Sequence, residues 1–311
     1  MSAHVIGPGS QSAVCEELAR SVSPETVIRR DEPMAKRTTL RVGGPADYYV
    51  EPASEQDLAA VVRFCAKRGI AFFVVGRGSN LLVRDGGFRG AILSLAQPCF
   101  SRIEVSGQQL KCGAGARLKA VAVEAKRKGL SGLEFLEGIP GSVGGGLRMN
   151  AGAMGGAMFD VVSSVRLMDF HGDVQERMTA ELEVHYRSCP TLKNAIAVEA
   201  LLRGSAEKRE TIEKRMNEFS RKRWESQPAA PSAGCMFKNP LTIPAGKLID
   251  ELGLKGAQVG GAFVSAEHGN FIVNDGTATA GDVLQLIEVI RARARAERSI
   301  ELETEVEIIG E

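Results

Sequence analysis

No Cys-x-x-Cys pair occurs anywhere in this 311-residue chain, and its four histidines are scattered. Zinc and iron–sulfur sites need clustered soft or imidazole ligands, so a metal centre is not expected. The six cysteines (15, 65, 99, 112, 189 and 235) show no disulfide-framework spacing, which suits a reduced, cytoplasmic chain. No apolar run approaches the roughly eighteen residues of a membrane span. The first twenty residues, "MSAHVIGPGSQSAVCEELAR", lack the apolar core of a signal peptide. A net charge of +1 leaves no broad electrostatic footprint for nucleic acid, so any anionic ligand must be held by local groups.

Glycine, by contrast, is abundant: 35 residues, and they cluster. Clustered glycines point to loops that approach a ligand closely. The remaining composition, 44% hydrophobic and 25% charged, is that of a soluble globular protein. The length exceeds what one hydrophobic core comfortably serves, so two or three cooperating domains are expected.

"SEQDLAAVVRFCAKRG" (54–69) predicts a helix with a Ser cap and a terminal Gly. Leu58, Val61, Val62 and Cys65 recur at helical spacing, which makes Cys65 a core residue. "AFFVV" reads as a strand, "LLVRDGGFRGAILSL" as two more, and "RIEVSGQQLKCGAG" as a hairpin carrying Cys112. "LKAVAVEAKRKG" is amphipathic. Residues 131–157 read as a long glycine-rich loop, and strands dominate from there to about 204. A helix within "EKRETIEKRMNEFSRKRWES" opens a further domain, its basic run read as an exposed face. "GDVLQLIEVIRARARAE" is a last helix, and "IELETEVEIIG" closes the chain as a strand. Its glutamates 301, 303, 305 and 307 would then share one face.

Three glycine-rich regions are candidates for loops that approach a ligand. "VVGRGSNLLV" looks like an anion nest built on Gly76, Gly78, Ser79 and Asn80. It leads into a strand, however, where a Rossmann site or P-loop would open a helix, so a hairpin turn is the competing reading. "KCGAGARLKAVAVEA" is a weak partial fingerprint, because Leu118 stands where a third glycine belongs. "GIPGSVGGG" and "NAGAMGG" supply many exposed amides. Two such loops about sixty residues apart suit a long ligand with a diphosphate, such as a dinucleotide.

Cys235, in "PSAGCMFKNP", sits in a turn-like segment without an apolar period, which does not favour packing. It has no evident disulfide or metal partner, and no His/Asn constellation that would make it a covalent nucleophile.

In these motifs the chain resembles the UDP-N-acetylenolpyruvoylglucosamine reductase family, in its shorter (type II) class. The resemblance runs in order through "TTLRVGGPADYYVEP", "VVGRGSNLLVRDGGFRG", "GLEFLEGIPGSVGG", "MNAGAMG", "YRSCP", "AGCMFKNP", "AGKLIDELGLKG" and "LETEVEIIG", over residues 37–311. It implies an α+β fold of the vanillyl-alcohol-oxidase type: two FAD-binding subdomains (24–92 and 93–204) and an α+β substrate-binding domain (205–298). The final strand, 299–311, would return to the FAD domains. The implied reaction is NADPH-dependent reduction, through FAD, of UDP-N-acetyl-3-O-(1-carboxyvinyl)glucosamine to UDP-N-acetylmuramate in peptidoglycan precursor synthesis. UDP-sugar and NADPH are the implied partners, with no nucleic acid, no membrane span and no obligate protein partner.

Carried over residue by residue, the resemblance assigns FAD contacts to Gly76, Gly78, Ser79, Asn80, Gly138, Ile139, Pro140, Gly141, Ser142 and Asn150. It makes Arg187 the carboxylate-binding arginine, a role that suits a planar fork. Glu305 becomes an acid or hydrogen-bond partner at the carboxylate, which requires a raised pKa. Cys235 becomes the proton donor, at a position where many members have serine. A thiol is the stronger acid of the two, yet mostly protonated at neutral pH. Tyr186, Arg223, Asn239, Lys247 and His268, together with Lys255, are the expected holders of the UDP-sugar. Another flavin oxidase or dehydrogenase on the same fold, and a catalytically silent nucleotide-binding module, are the alternatives.

Overall fold

The computed structural model of the protein describes residues 8–311; residues 1–7, part of the stretch read above for a signal peptide, lie outside it. Seven helices are present among the described residues: α1 (Pro8–Arg20), α2 (Glu55–Arg68), α3 (Leu118–Arg127), α4 (Val143–Arg148), α5 (Arg209–Ser226), α6 (Ala245–Glu251) and α7 (Ala280–Arg298). None is long and apolar enough to cross a membrane.

The first sheet orders Val27–Pro33, Pro45–Glu51, Phe88–Ser94 and Phe72–Val75; the first pair is antiparallel, the other two pairings parallel. Helix α2 packs on it. The Ser54 side chain accepts from the Asp57 amide, and Gly69 ends the helix at φ 63°, a conformation glycine adopts without Cβ strain. Leu58, Val61, Val62 and Cys65 are all buried, and burial pushes the Cys65 thiol up to about 12. The second sheet is wholly antiparallel, in the order Val174–Met178, Val162–Met168, Ile196–Arg203, Gln109–Gly113, Ile103–Ser106. The third, Ser232–Cys235, Phe271–Asn274, Ala262–Val264, Gln258–Val259, is also antiparallel. Residues of α6 and α7 (Leu248, Ile249, Val283, Leu286, Ile287, Ile290) share its core with Leu40, Val42 and Leu82 from the first unit.

Two segments differ from their sequence expectation. The glycine-rich stretch is not a plain loop: a 3-10 turn spans Glu134–Gly138, and α4 forms over "VGGGLR" with Ser142 as its cap. Glycine disfavours helix, but this one is capped and its Val143 and Leu147 are buried. The terminal segment is a strand only over Glu307–Ile309, parallel to Leu81–Val83. Before that it borders the third unit: the Lys238 amide donates to the Glu303 carbonyl at 2.9 Å, and the Glu305 amide to Met236 at 2.8 Å. Because the chain changes partners midway, the four glutamates never share one sheet face.

Helix α5, at the start of the third unit in the sequence reading, buries Ile212 and Met216 in the large core with Leu130, Leu133 and Leu136. Its basic face is laced by Lys222–Glu218 and Arg221–Glu225 pairs. Three ties join the third unit to the first. The Thr39 hydroxyl donates to the Ser232 carbonyl at 2.6 Å, and the Asn274 amide to the Leu40 carbonyl at 2.9 Å. The Asp85 carboxylate accepts from the amides of Ala280 and Gly281, at the N-terminus of α7.

Candidate active site

Where these units meet there is a cleft of about 1180 Å³. A drug-sized pocket runs to about 300–1,000 Å³, so there is room for a dinucleotide and part of a second ligand. Lys36, Arg37, Arg41, Arg77, Arg117, Arg148, Lys193 and Arg223 line it, against the single carboxylate of Glu51. A nearly neutral chain thus concentrates positive charge in one place, which focuses the field on an anionic ligand. Burial, then the neighbouring Arg117, lowers the pKa of Arg77.

The glycine loops meet this wall. Gly76, Ser79, Pro140 and Ser142 line it directly. A Cβ at Gly76 would come within 2.5 Å of the Ser142 hydroxyl, so the two loops touch. Gly78 (φ 62°) has another constraint, since a Cβ there would fall 2.2 Å from the Arg37 carbonyl oxygen. Gly141 closes a turn with Ile139 through its amide, and Gly138 lies beside the Arg223 side chain. Two asparagines point elsewhere. Asn80 donates from its side chain to the Glu305 carbonyl at 3.1 Å, and its own carbonyl accepts from the Glu307 amide. Asn150 (φ 40°) donates to the His185 carbonyl and accepts from the Phe159 amide. The partial fingerprint set aside from sequence does reach the cleft, through Ala114, Gly115, Ala116 and Arg117. Its signal was backbone crowding: a Cβ at Gly115 would sit 1.8 Å from the Leu95 carbonyl oxygen. Volume, cationic lining and touching glycine loops fit a diphosphate-bearing flavin dinucleotide.

Arg187 and Glu305, 118 positions apart in the sequence, form an ion pair of 2.9 Å at 23% and 14% side-chain exposure. The buried Arg187 Nε is the atom that faces the Glu305 carboxylate in this pair, although the two are not aligned as a hydrogen bond. Arg187 also has φ 56°, a left-handed conformation that costs a non-glycine residue energy and recurs at functional sites. It caps a tight turn closed by hydrogen bonds between His185 and Ser188. Burial raises the Glu305 pKa, while Arg187 and then Lys238 pull it back. Cys235 ends a strand one residue before Met236, whose carbonyl holds the Glu305 amide. Burial, then the Glu305 charge, pushes the Cys235 thiol up to about 12 against the opposing fields of Arg187 and Arg223. Asn270, not singled out from sequence, is 2% exposed and brackets Phe237: its side-chain oxygen accepts from the Phe237 amide and its NH₂ donates to the Phe237 carbonyl.

Of the other expected substrate residues, Arg223 lines the cleft, is half-buried and has no ion-pair partner among the described residues. Burial lowers its pKa. Tyr186 is exposed beside Arg187, whose guanidinium lies over its ring at 5.1 Å. Asn239 accepts from the Ala245 amide at the start of α6. Lys247 is exposed and pairs with Glu251, and Lys255 pairs with Asp250. His268 accepts the Asn270 amide on Nδ1, and burial lowers its pKa.

Two family models match the chain: an FAD binding domain over residues 46–177, and the C-terminal domain of UDP-N-acetylenolpyruvoylglucosamine reductase over 227–309. The reductase from Pelobacter propionicus is 44% identical, covering 92% of this chain and 96% of its own. That from Syntrophomonas wolfei is 42% identical, covering 93% and 97%. The crystal structure of the Thermus caldophilus reductase, 38% identical, superposes with a TM-score of 0.80 over 92% of this chain and 99% of that one.

Proposed function

The chain belongs to the UDP-N-acetylenolpyruvoylglucosamine reductase family, and from that premise we propose that Cys235, Arg187 and Glu305 form its reaction centre. The enzyme is an FAD-dependent oxidoreductase that uses NADPH to reduce the enolpyruvyl group of the UDP-sugar, giving UDP-N-acetylmuramate for peptidoglycan. When bound, FAD would supply the hydride chemistry that links NADPH to the terminal methylene carbon of that group. The cleft loops around Gly76, Ser79 and Ser142 would hold it through backbone amides.

Hydride addition leaves an electron pair on the neighbouring carbon, delocalised into the carboxylate. With its Nε facing Glu305, Arg187 binds that carboxylate through the terminal nitrogens of its fork, in a site closed enough for charge to count. As the substrate carboxylate takes up the Arg187 charge, Glu305 loses part of what holds it ionised and takes a proton from water as the substrate binds. It then donates a hydrogen bond to the developing oxyanion instead of repelling it. Cys235 gives its proton to the carbanionic carbon: the S–H bond breaks, a C–H bond forms, and the thiolate recovers a proton from water. Arg223, which lines the cleft, and Tyr186, beside Arg187, meet the sugar nucleotide.

The first two units, 24–92 and 93–204, carry the flavin, and 205–298 the substrate, in the cytoplasm. The observation that carries this reading is the 2.8 Å bond from the Glu305 amide to Met236, because it sets Glu305 beside both Arg187 and Cys235. The test is the anaerobic reaction in two halves. Cys235→Ser should keep both. Cys235→Ala should bleach with NADPH at the normal rate but reoxidise with the enolpyruvyl substrate at least about a hundredfold more slowly. An alanine variant with normal reoxidation removes Cys235 from the mechanism.

A further inference from the structure

Arg148, at the end of α4, lines the cleft but has no part in the hydride and proton transfers above. Its backbone carbonyl accepts from the Cys189 amide at 3.0 Å, two residues after Arg187. Its guanidinium holds Glu307, two residues after Glu305, through both carboxylate oxygens, Nη2 to Oε1 at 2.6 Å and Nε to Oε2 at 3.3 Å. The remaining Nη1 donates to the Leu192 carbonyl at 2.8 Å, and the plane lies 5.5 Å from the Phe73 ring centroid. A fork saturated on both sides behaves as a rigid post. Both members of the Arg187–Glu305 pair are therefore tied, at the same offset of two residues, to one residue, Arg187 through the Arg148 backbone carbonyl and Glu305 through the Arg148 side chain.

We propose that Arg148 is a positioning residue that sets Glu305 against Arg187, holding the Arg187 turn through its carbonyl and the Glu305 segment through the Glu307 carboxylate. The Asn80 clamp fixes the register of that segment on the first unit, while the Arg148 fork fixes its distance from the Arg187 turn. The backbone tie survives any substitution, whereas the guanidinium tie does not, so the two can be separated. The idea rests on the role given to Glu305 above. The charged and titratable groups facing Glu305 are Arg187 from its turn, Lys238 from the third unit, and the Cys235 thiol. A loosened segment would let water reach Glu305 and reduce the burial that raises its pKa.

The decisive variant is Glu307→Gln, because it removes the carboxylate that the Arg148 fork holds while leaving Arg148 and its bond to the Leu192 carbonyl in place. Flavin content and reduction by NADPH should stay within about twofold, while reoxidation by the enolpyruvyl substrate slows about tenfold. The alkaline limb of that second half-reaction, where Glu305 loses its proton, should move to lower pH. Hydrogen–deuterium exchange of the Glu305–Ile309 amides should rise. Arg148→Lys, which can meet Glu307 or Leu192 but not both, should fall between wild type and Arg148→Met in reoxidation. Reoxidation with an unmoved alkaline limb, or an equal loss in both half-reactions, overturns the proposal. Glu305→Gln separates the two ideas. Normal reoxidation in that variant removes the role of Glu305 itself, whereas impaired reoxidation there with a wild-type Glu307→Gln removes only the role of Arg148.

Discussion

At Cys235 the useful property is a proton that stays on sulfur. The surrounding structure desolvates the thiol and sets the Glu305 charge near it, and these effects outweigh the two arginines. Thiolate is the species that alkylating agents and oxidants attack, so the same environment that keeps the acid loaded also shields it. Iodoacetamide labelling of Cys235 in the native protein, assigned against Cys235→Ser, should stay slow from pH 7 to 9. It should rise only as pH approaches 12, whereas the unfolded thiol labels near its ordinary value. Stability carries the same sign. Above the ordinary thiol pKa the unfolded chain releases this proton while the folded chain keeps it, so folding weakens as pH rises toward 12. Cys235→Ser should lose less stability over that window in alkaline denaturation. Serine preserves a donor at the site, but a much weaker one.

The short elements around the site work by being held at both ends. Cys235–Phe237 is fixed by Asn270, and the segment entering Glu305 by Met236 and Asn80. Asn270→Ala would strand the buried amide and carbonyl of Phe237, at a cost of about 2–4 kcal/mol in urea denaturation. Its second half-reaction should suffer more than its first, because only the strand bearing Cys235 is released. Elements of this kind were unevenly legible. Helix α2 could be placed from its apolar spacing, its Ser54 cap and its Gly69 end, since all three signals are local. Helix α4 could not, because three glycines argue against helix and only its packing supplies the rest. The terminal glutamates show the limit most clearly. Their alternation implied one face, yet Glu301 pairs with Arg295, Glu303 with Lys238, Glu305 with Arg187 and Glu307 with Arg148.

For the molecule as a whole, the site exists only while the third unit stays docked. Asp85 does part of this by placing a carboxylate on the amides that open α7, where a helix leaves donors unpaired and the dipole favours negative charge. Asp85→Ala should cost about 1–2 kcal/mol in denaturant unfolding. Reoxidation by the UDP-sugar should weaken while flavin reduction is retained. A variant with unchanged stability and unchanged half-reactions would show that the other ties suffice.

While the flavin chemistry followed from the family resemblance of its ordered motif blocks, the sequence by itself determined the helix caps, the glycine loops and the residue types available for proton transfer. These depend on neighbours close in the chain, where propensity and spacing act. Only the tertiary structure decided which of four glutamates meets Arg187, and that eight cations of a nearly neutral chain line one cleft. It also turned Asn80 toward the Glu305 segment and gave Arg148 two ties at once. Those outcomes depend on which distant segments share a boundary, and on the burial created there, which no local pattern encodes.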